Sequence, residues 1–158
     1  MRKFALLLLA GIFCSQLSSQ PAAEVASCLR ACLQAPEMEA AFTQEWGELR
    51  PLYLRKREAP GIGNRPIDKA FDQLNASDFL GLPWEVRPVT EEEIKQLPAE
   101  EARFGILEAS VGFREDRATA NLFVHLPQYP RKWLSGSFLL ENQDGQWSII
   151  QRSVEIRP

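Results

Sequence analysis

The sequence predicts an α+β domain: N-terminal helices packed on a curved, four-stranded antiparallel meander. Three observations predict it. Residues 103–157 alternate apolar and polar side chains with period two, which is the signature of strands with one face on a core. Residues 22–97 carry apolar stripes at helical spacing instead. Helices come first and strands follow in one block, so the helices belong on one face of an antiparallel sheet.

The meander is the clearest part. In the run from Gly105 to Phe113 the odd positions Leu107, Ala109, Val111 and Phe113 are apolar, while Glu108 and Ser110 are polar. From Ala118 to Leu126 the phase reverses: Ala120, Leu122, Val124 and Leu126 are apolar, and Thr119, Asn121 and His125 sit between them. Arg114-Glu115-Asp116-Arg117 between these runs has the length of a hairpin turn. A third strand runs from Trp133 to Glu141. Asp144-Gly145 supplies the positive φ of a tight hairpin into a fourth strand, Trp147 to Ile156. The apolar parity slips once there, which predicts a β-bulge at Ile149-Ile150.

Ahead of the meander, Val25, Cys28, Leu29, Cys32 and Leu33 form one helical stripe, ended by Pro36. Met38, Phe42, Trp46 and Leu49 predict a second helix from Glu37 to about Arg50, with Pro51 ending it. Arg55 to Pro66 reads as a loop. Ile67 to Leu74 reads as a short helix. Trp84, Val86 and Pro88 point to an edge strand, since proline is tolerated only there. Thr90 to Glu93 has the spacing of a capping box for a helix ending near Leu97.

The first residues stand apart. Arg2 and Lys3 precede a ten-residue apolar run, Phe4 to Phe13, and small residues follow. That is half of the roughly 20 residues needed to cross a bilayer. It reads as a secretory signal peptide cut near Ser19, which gives a secreted or periplasmic product. The organisation is therefore 1–19 leader and 20–158 a single domain, helical over 22–97. Without the leader, 16 basic residues face 21 acidic ones, a net charge of about −5. An acidic surface argues against nucleic acid and anionic membranes as partners.

The stretch Leu139-Leu140-Glu141-Asn142-Gln143-Asp144-Gly145-Gln146-Trp147-Ser148-Ile149-Ile150, closing a helix-then-meander chain, resembles the nuclear transport factor 2-like superfamily. Cystatin-like folds share the element order. The resemblance implies a pocket between helices and sheet. It would be lined by Leu107, Ala109, Val111, Phe113, Leu122 and Val124, and would hold a small apolar ligand. Members that are enzymes, isomerases and hydratases among them, place carboxylates, histidines or tyrosines in that pocket. The two strands read here offer none, which argues against catalysis. An enzyme would need Glu45, Tyr53, Asp68 or Asp72 instead. Members also often dimerise through the outer sheet face. Phe104, Ile106 and Phe123 on that face fit a homodimer.

Other candidates come from the residues themselves. His125, the one histidine, shares the outward parity with Phe123. Tyr129, Arg131, Lys132 and Trp133 form an aromatic and basic connection of the kind enriched at interfaces. It would serve a partner contact or an inhibitor or immunity-type role. Arg50, Arg55, Lys56, Arg57 and Arg65 make a basic cluster. Cys28 and Cys32 lie one helical turn apart, where Cβ atoms are roughly 5–6 Å apart and a disulfide needs about 3.5–4.5 Å. Buried thiols, a strained bridge and an intermolecular bridge all remain open. Two ligands are too few for a metal, and no cofactor motif is present. With no titratable group on the inward faces of the first two meander strands, the expectation is a non-catalytic small-ligand-binding or protein-interaction module.

Overall fold

A computed structural model describes residues 22–56, 66–97 and 104–158. The leader, Arg57 and Arg65 lie outside the described residues. The first described elements are two helices, α1 (Ala22–Leu33) and α2 (Pro36–Trp46). Then come β1 (Leu52–Arg55), α3 (Pro66–Asp72), a 3-10 turn (Ala76–Phe79), β2 (Val86–Val89) and α4 (Glu91–Gln96). The meander follows as β3 (Gly105–Arg114), β4 (Arg117–His125), β5 (Trp133–Gln143) and β6 (Gln146–Arg157).

The fold is α+β, but the sheet corrects the expectation of four antiparallel strands. Among the described residues six strands lie in the order β2-β1-β3-β4-β5-β6, and β1 runs parallel to both β2 and β3. From the sequence alone, no element is assigned to Leu52, Tyr53 and Leu54, and a loop starts at Arg55. β1 is only four residues, Leu-Tyr-Leu-Arg, and its alternation is too short to register. Its partners are distant in sequence, so only tertiary pairing reveals it. β2 takes the sheet edge, with Pro88 inside it.

The local signals of the meander hold. Asp144 (φ 54°) and Gly145 (φ 85°) take successive positive φ values at the β5–β6 turn. Leu139 pairs with Gln151 and Leu140 with Ile149, so Ile150 is the extra residue of the bulge. α2 ends earlier than Pro51 would end it. Gly47 at φ 89° closes it and donates its N–H to the Thr43 carbonyl at 2.9 Å.

Both long helices lie on one face of the sheet, α1 across β3 to β6 and α2 over β5 and β6. The stripe Val25, Cys28, Leu29, Cys32 and Leu33 is fully buried against them, with Met38 and Phe42 of α2. Trp84 locks the far side. Its Nε1–H donates to the Leu33 carbonyl at 2.9 Å, satisfying one of the acceptors that a helix C-terminus leaves open. Arg30 Nη1 donates to the carbonyls of Asp78 (3.0 Å) and Leu80 (2.8 Å), tying the 3-10 turn to α1.

Candidate functional site

On the helix-facing side of the sheet, the residues expected to line a pocket are buried among the core side chains. Leu107, Ala109, Val111, Leu122 and Val124 belong to the packed core under α1 and α2. Phe113, at the rim, is half-buried against Trp147, ring centres 5.5 Å apart. Leu107, Leu122 and Val124 have no exposed surface, and Ala109 and Val111 are 7% and 6% exposed. The acid and base candidates do not converge either. Glu45 pairs with Lys132, Tyr53 stacks edge-on against Phe104 at 4.8 Å, Asp68 is buried in α3 and Asp72 is exposed. Among the described residues no group of histidines, cysteines and carboxylates is placed to hold a metal.

The opposite, outer face is organised in rows, because antiparallel partners lie directly across from one another and share a face. One row runs Tyr53, Ile106, His125, Trp133, Arg157. The next runs Glu108, Phe123, Ser135, Glu155. Beyond it lie Ser110, Asn121, Ser137, Ser153, then Gly112, Thr119, Leu139, Gln151. These last two rows open into clefts. One, of about 690 Å³, sits by the β3–β4 hairpin between Gly112, Arg114, Arg117, Thr119 and Leu139. The other, of about 490 Å³, is lined by Thr119, Asn121, Ser137, Leu139, Gln151 and Ser153, with Phe138 and Arg152. Thr119 and Leu139 belong to both, so the two clefts adjoin.

His125 lies in the aromatic row. Its ring stacks on Trp133 with centres 4.4 Å apart, and Nδ1 is buried without a hydrogen-bond partner among the described residues. Burial pushes its pKa below the ordinary 6.5. Glu108 opposes that shift and Arg55 adds to it. The unfolded chain therefore binds the proton more readily than the folded one. The stability this contributes is complete above about pH 6.5 and is lost as pH falls from there through the lower folded pKa. The expected result is that lowering pH from 7.5 to about 5.5 costs the natural chain more stability than it costs His125→Gln, read as urea midpoints. Parallel pH dependences would show that the buried imidazole is not responsible.

The structure brings His125, Phe123 and Trp133 onto one face but separates them from the rest of the expected contact loop. Lys132 reaches α2 and pairs with Glu45. Gln128 accepts from Arg50 at 3.4 Å. Arg131 is exposed. Tyr129 is 48% exposed and stands clear. The described members of the basic cluster, Arg50, Arg55 and Lys56, are engaged within the chain. Arg55 pairs with Glu91 (3.0 Å) and Glu108 (2.7 Å), and Lys56 donates to the Asp72 carbonyl at 3.0 Å. Cys28 and Cys32 are both free thiols and fully buried. Burial raises both thiol pKa values, that of Cys28 to about 12. They fill the core as small apolar side chains and form no bridge with each other, as one regular helical turn between them requires.

Phe104, Ile106 and Phe123 are the outward residues that fit a second copy over this face. Within the single chain Phe104 and Ile106 are 8% and 6% exposed, and Phe123 is half-buried. Sequence reasoning missed the polar rows. Its only available signal was the outward parity of Ser110, Thr119 and Asn121, and their alignment with Ser137 and Ser153 depends on strand register.

Comparison with family models, with curated proteins and with solved structures finds no match for this chain. No helix among the described residues is long and apolar enough to cross a membrane.

Proposed function

We propose that this chain is an exported, non-catalytic binding module that recognises its ligand on the outer face of β3 to β6. The observation that carries this is the division of labour between the two sheet faces. The helix side is close-packed core. The outer side offers two adjoining clefts, the smaller lined by hydroxyl and amide groups. Binding sites are concave and present a few convergent polar groups, and here those groups lie outside. Export rests on Arg2, Lys3 and the apolar run that follows. The helix-then-sheet order and the Asp144-Gly145-Gln146-Trp147 turn support kinship with the nuclear transport factor 2-like superfamily, with its usual interior pocket closed.

A second reading, an inhibitor or immunity-type protein, is favoured by the exposure of Tyr129 on a connection anchored to α2. The two readings separate in one experiment. The isotope-labelled exported protein is titrated with extract of its own compartment, split into small-molecule and macromolecular fractions, and its amide resonances are followed. Shifts confined to the Ser110 and Gly112 rows are expected. Shifts centred on Tyr129 to Trp133 would replace the first reading with the second. Shifts of Leu107, Leu122 and Val124 alone would restore the interior pocket and sink both.

A further inference from the structure

We propose that the outer face binds a neutral, polyhydroxylated chain, an uncharged glycan, laid across β3 to β6. This rests on the outer-face reading above and names its ligand class. Six side chains make the trough: Thr119, Asn121, Ser137, Gln151 and Ser153 line the smaller cleft, and Ser110 extends the Asn121 row onto β3. They occupy two neighbouring rows on four successive strands. Among the described residues none of the six has a hydrogen-bond partner. Hydroxyls both donate and accept and rotate to suit, and the amides of Asn121 and Gln151 offer two donors and an acceptor each. A ligand that matches such a floor must itself donate and accept at close intervals along its length. A run of sugar hydroxyls does so. An apolar ligand would strand every one of these groups, at about 1–3 kcal/mol for each that becomes buried.

Charge points the same way. In the larger cleft Arg114 and Arg117 are accompanied by Glu115 and Asp116, and Arg117 lies 3.6 Å from Glu141. In the smaller one Arg152 is held by Glu37 at 2.7 Å. The trough therefore offers no uncompensated charge, so an anionic chain gains nothing there that a neutral one lacks. Its shape also fits. Four strands at about 4.8 Å spacing make a floor roughly 14 Å wide, suited to an extended oligomer. Half-buried Leu139 within the trough and Phe123 in the adjoining row provide apolar contact for the C–H faces of sugar rings. A second copy of this chain packed face to face would have to satisfy all six polar groups with the same six. That demand is stricter than any the apolar residues of this face impose.

The test uses three neutral probes, a β-1,4-linked N-acetylglucosamine tetramer, cellotetraose and maltotetraose, with the exported chain followed by amide resonances. At least one probe is expected to shift Ser110, Asn121, Ser137 and Ser153 in the millimolar range or below. Ser137 is exposed, so Ser137→Trp fills the trough without touching the core. It should weaken binding at least roughly tenfold with an unchanged melting temperature, while Tyr129→Ala should bind as the natural chain does. Binding that survives Ser137→Trp overturns the proposal, and so does silence from all three probes. If the probes are silent but Ser137→Trp still blocks the shifts caused by native extract, the ligand class is wrong and the outer face stands. If Ser137→Trp blocks nothing, both fail.

Discussion

Phe42→Ala is expected to lower stability by about 3–5 kcal/mol, the cost of emptying a large, fully enclosed site. Phe42 has no exposed surface. Its ring centre lies 4.7 Å from that of Trp46 and 5.0 Å from that of Trp84, the latter in an edge-on contact. Three rings from α2 and from the segment before β2 thus share one contact, and Trp84 holds the C-terminal end of α1 through its indole N–H. Removing the central ring leaves a cavity that neither tryptophan can fill without giving up its other contacts. Domains of this size are stable by only about 5–15 kcal/mol, so the loss should show as a large drop in urea midpoint with an unchanged slope. A cost below about 1 kcal/mol would mean that the site collapses freely and that the aromatic cluster does not bind α2 to the rest.

Gly136→Ala is expected to cost about 1–3 kcal/mol, through crowding where the first substitution acts through a void. Gly136 faces the helices from β5. A Cβ added there would come within 2.7 Å of the Phe138 ring and 2.8 Å of the Met38 sulfur of α2. Phe138 is two residues along the same strand, so its ring lies over the glycine and occupies the space a side chain would take. The methionine tip can yield; the ring, packed against α2, cannot easily. Met38→Ala in the Gly136→Ala background should therefore recover part of the loss, measurable as coupling in a double-mutant cycle. Strict additivity of the two substitutions would show that Met38 is not what crowds the site.

Much of the fold was legible because its causes are local. The capping box at Thr90 and Glu93 is present in full. Thr90 Oγ1 accepts from the Glu93 N–H at 3.2 Å, and the Thr90 N–H donates to Glu93 Oε2 at 2.7 Å. Proline placed β2 at the edge, and the parity slip located the bulge at Ile150. Where the cause was distant, the reading failed. β1 becomes a strand only because β2 and β3 flank it in parallel, and Leu52-Tyr53-Leu54-Arg55 carries too little pattern to say so alone. The inward face of the meander is a different case. Alternation identified Leu107, Ala109, Val111, Leu122 and Val124 as the inward set correctly. It could not say whether the helices stand off that face or press against it.

The sequence by itself determined which way each meander side chain points, since period-two alternation assigns a residue to a face from its own neighbours. It therefore marked Ser110, Thr119, Asn121 and His125 as outward. Only the tertiary structure decided which outward residues stand side by side. A register shift of two residues keeps every side chain on its face and leaves the alternation intact, yet it would set Asn121 opposite a different residue of β5. Register is fixed by the turns, the bulge and the packing of the other face. The rows that make the candidate site are consequently a property of the folded sheet, though every residue in them could be seen beforehand.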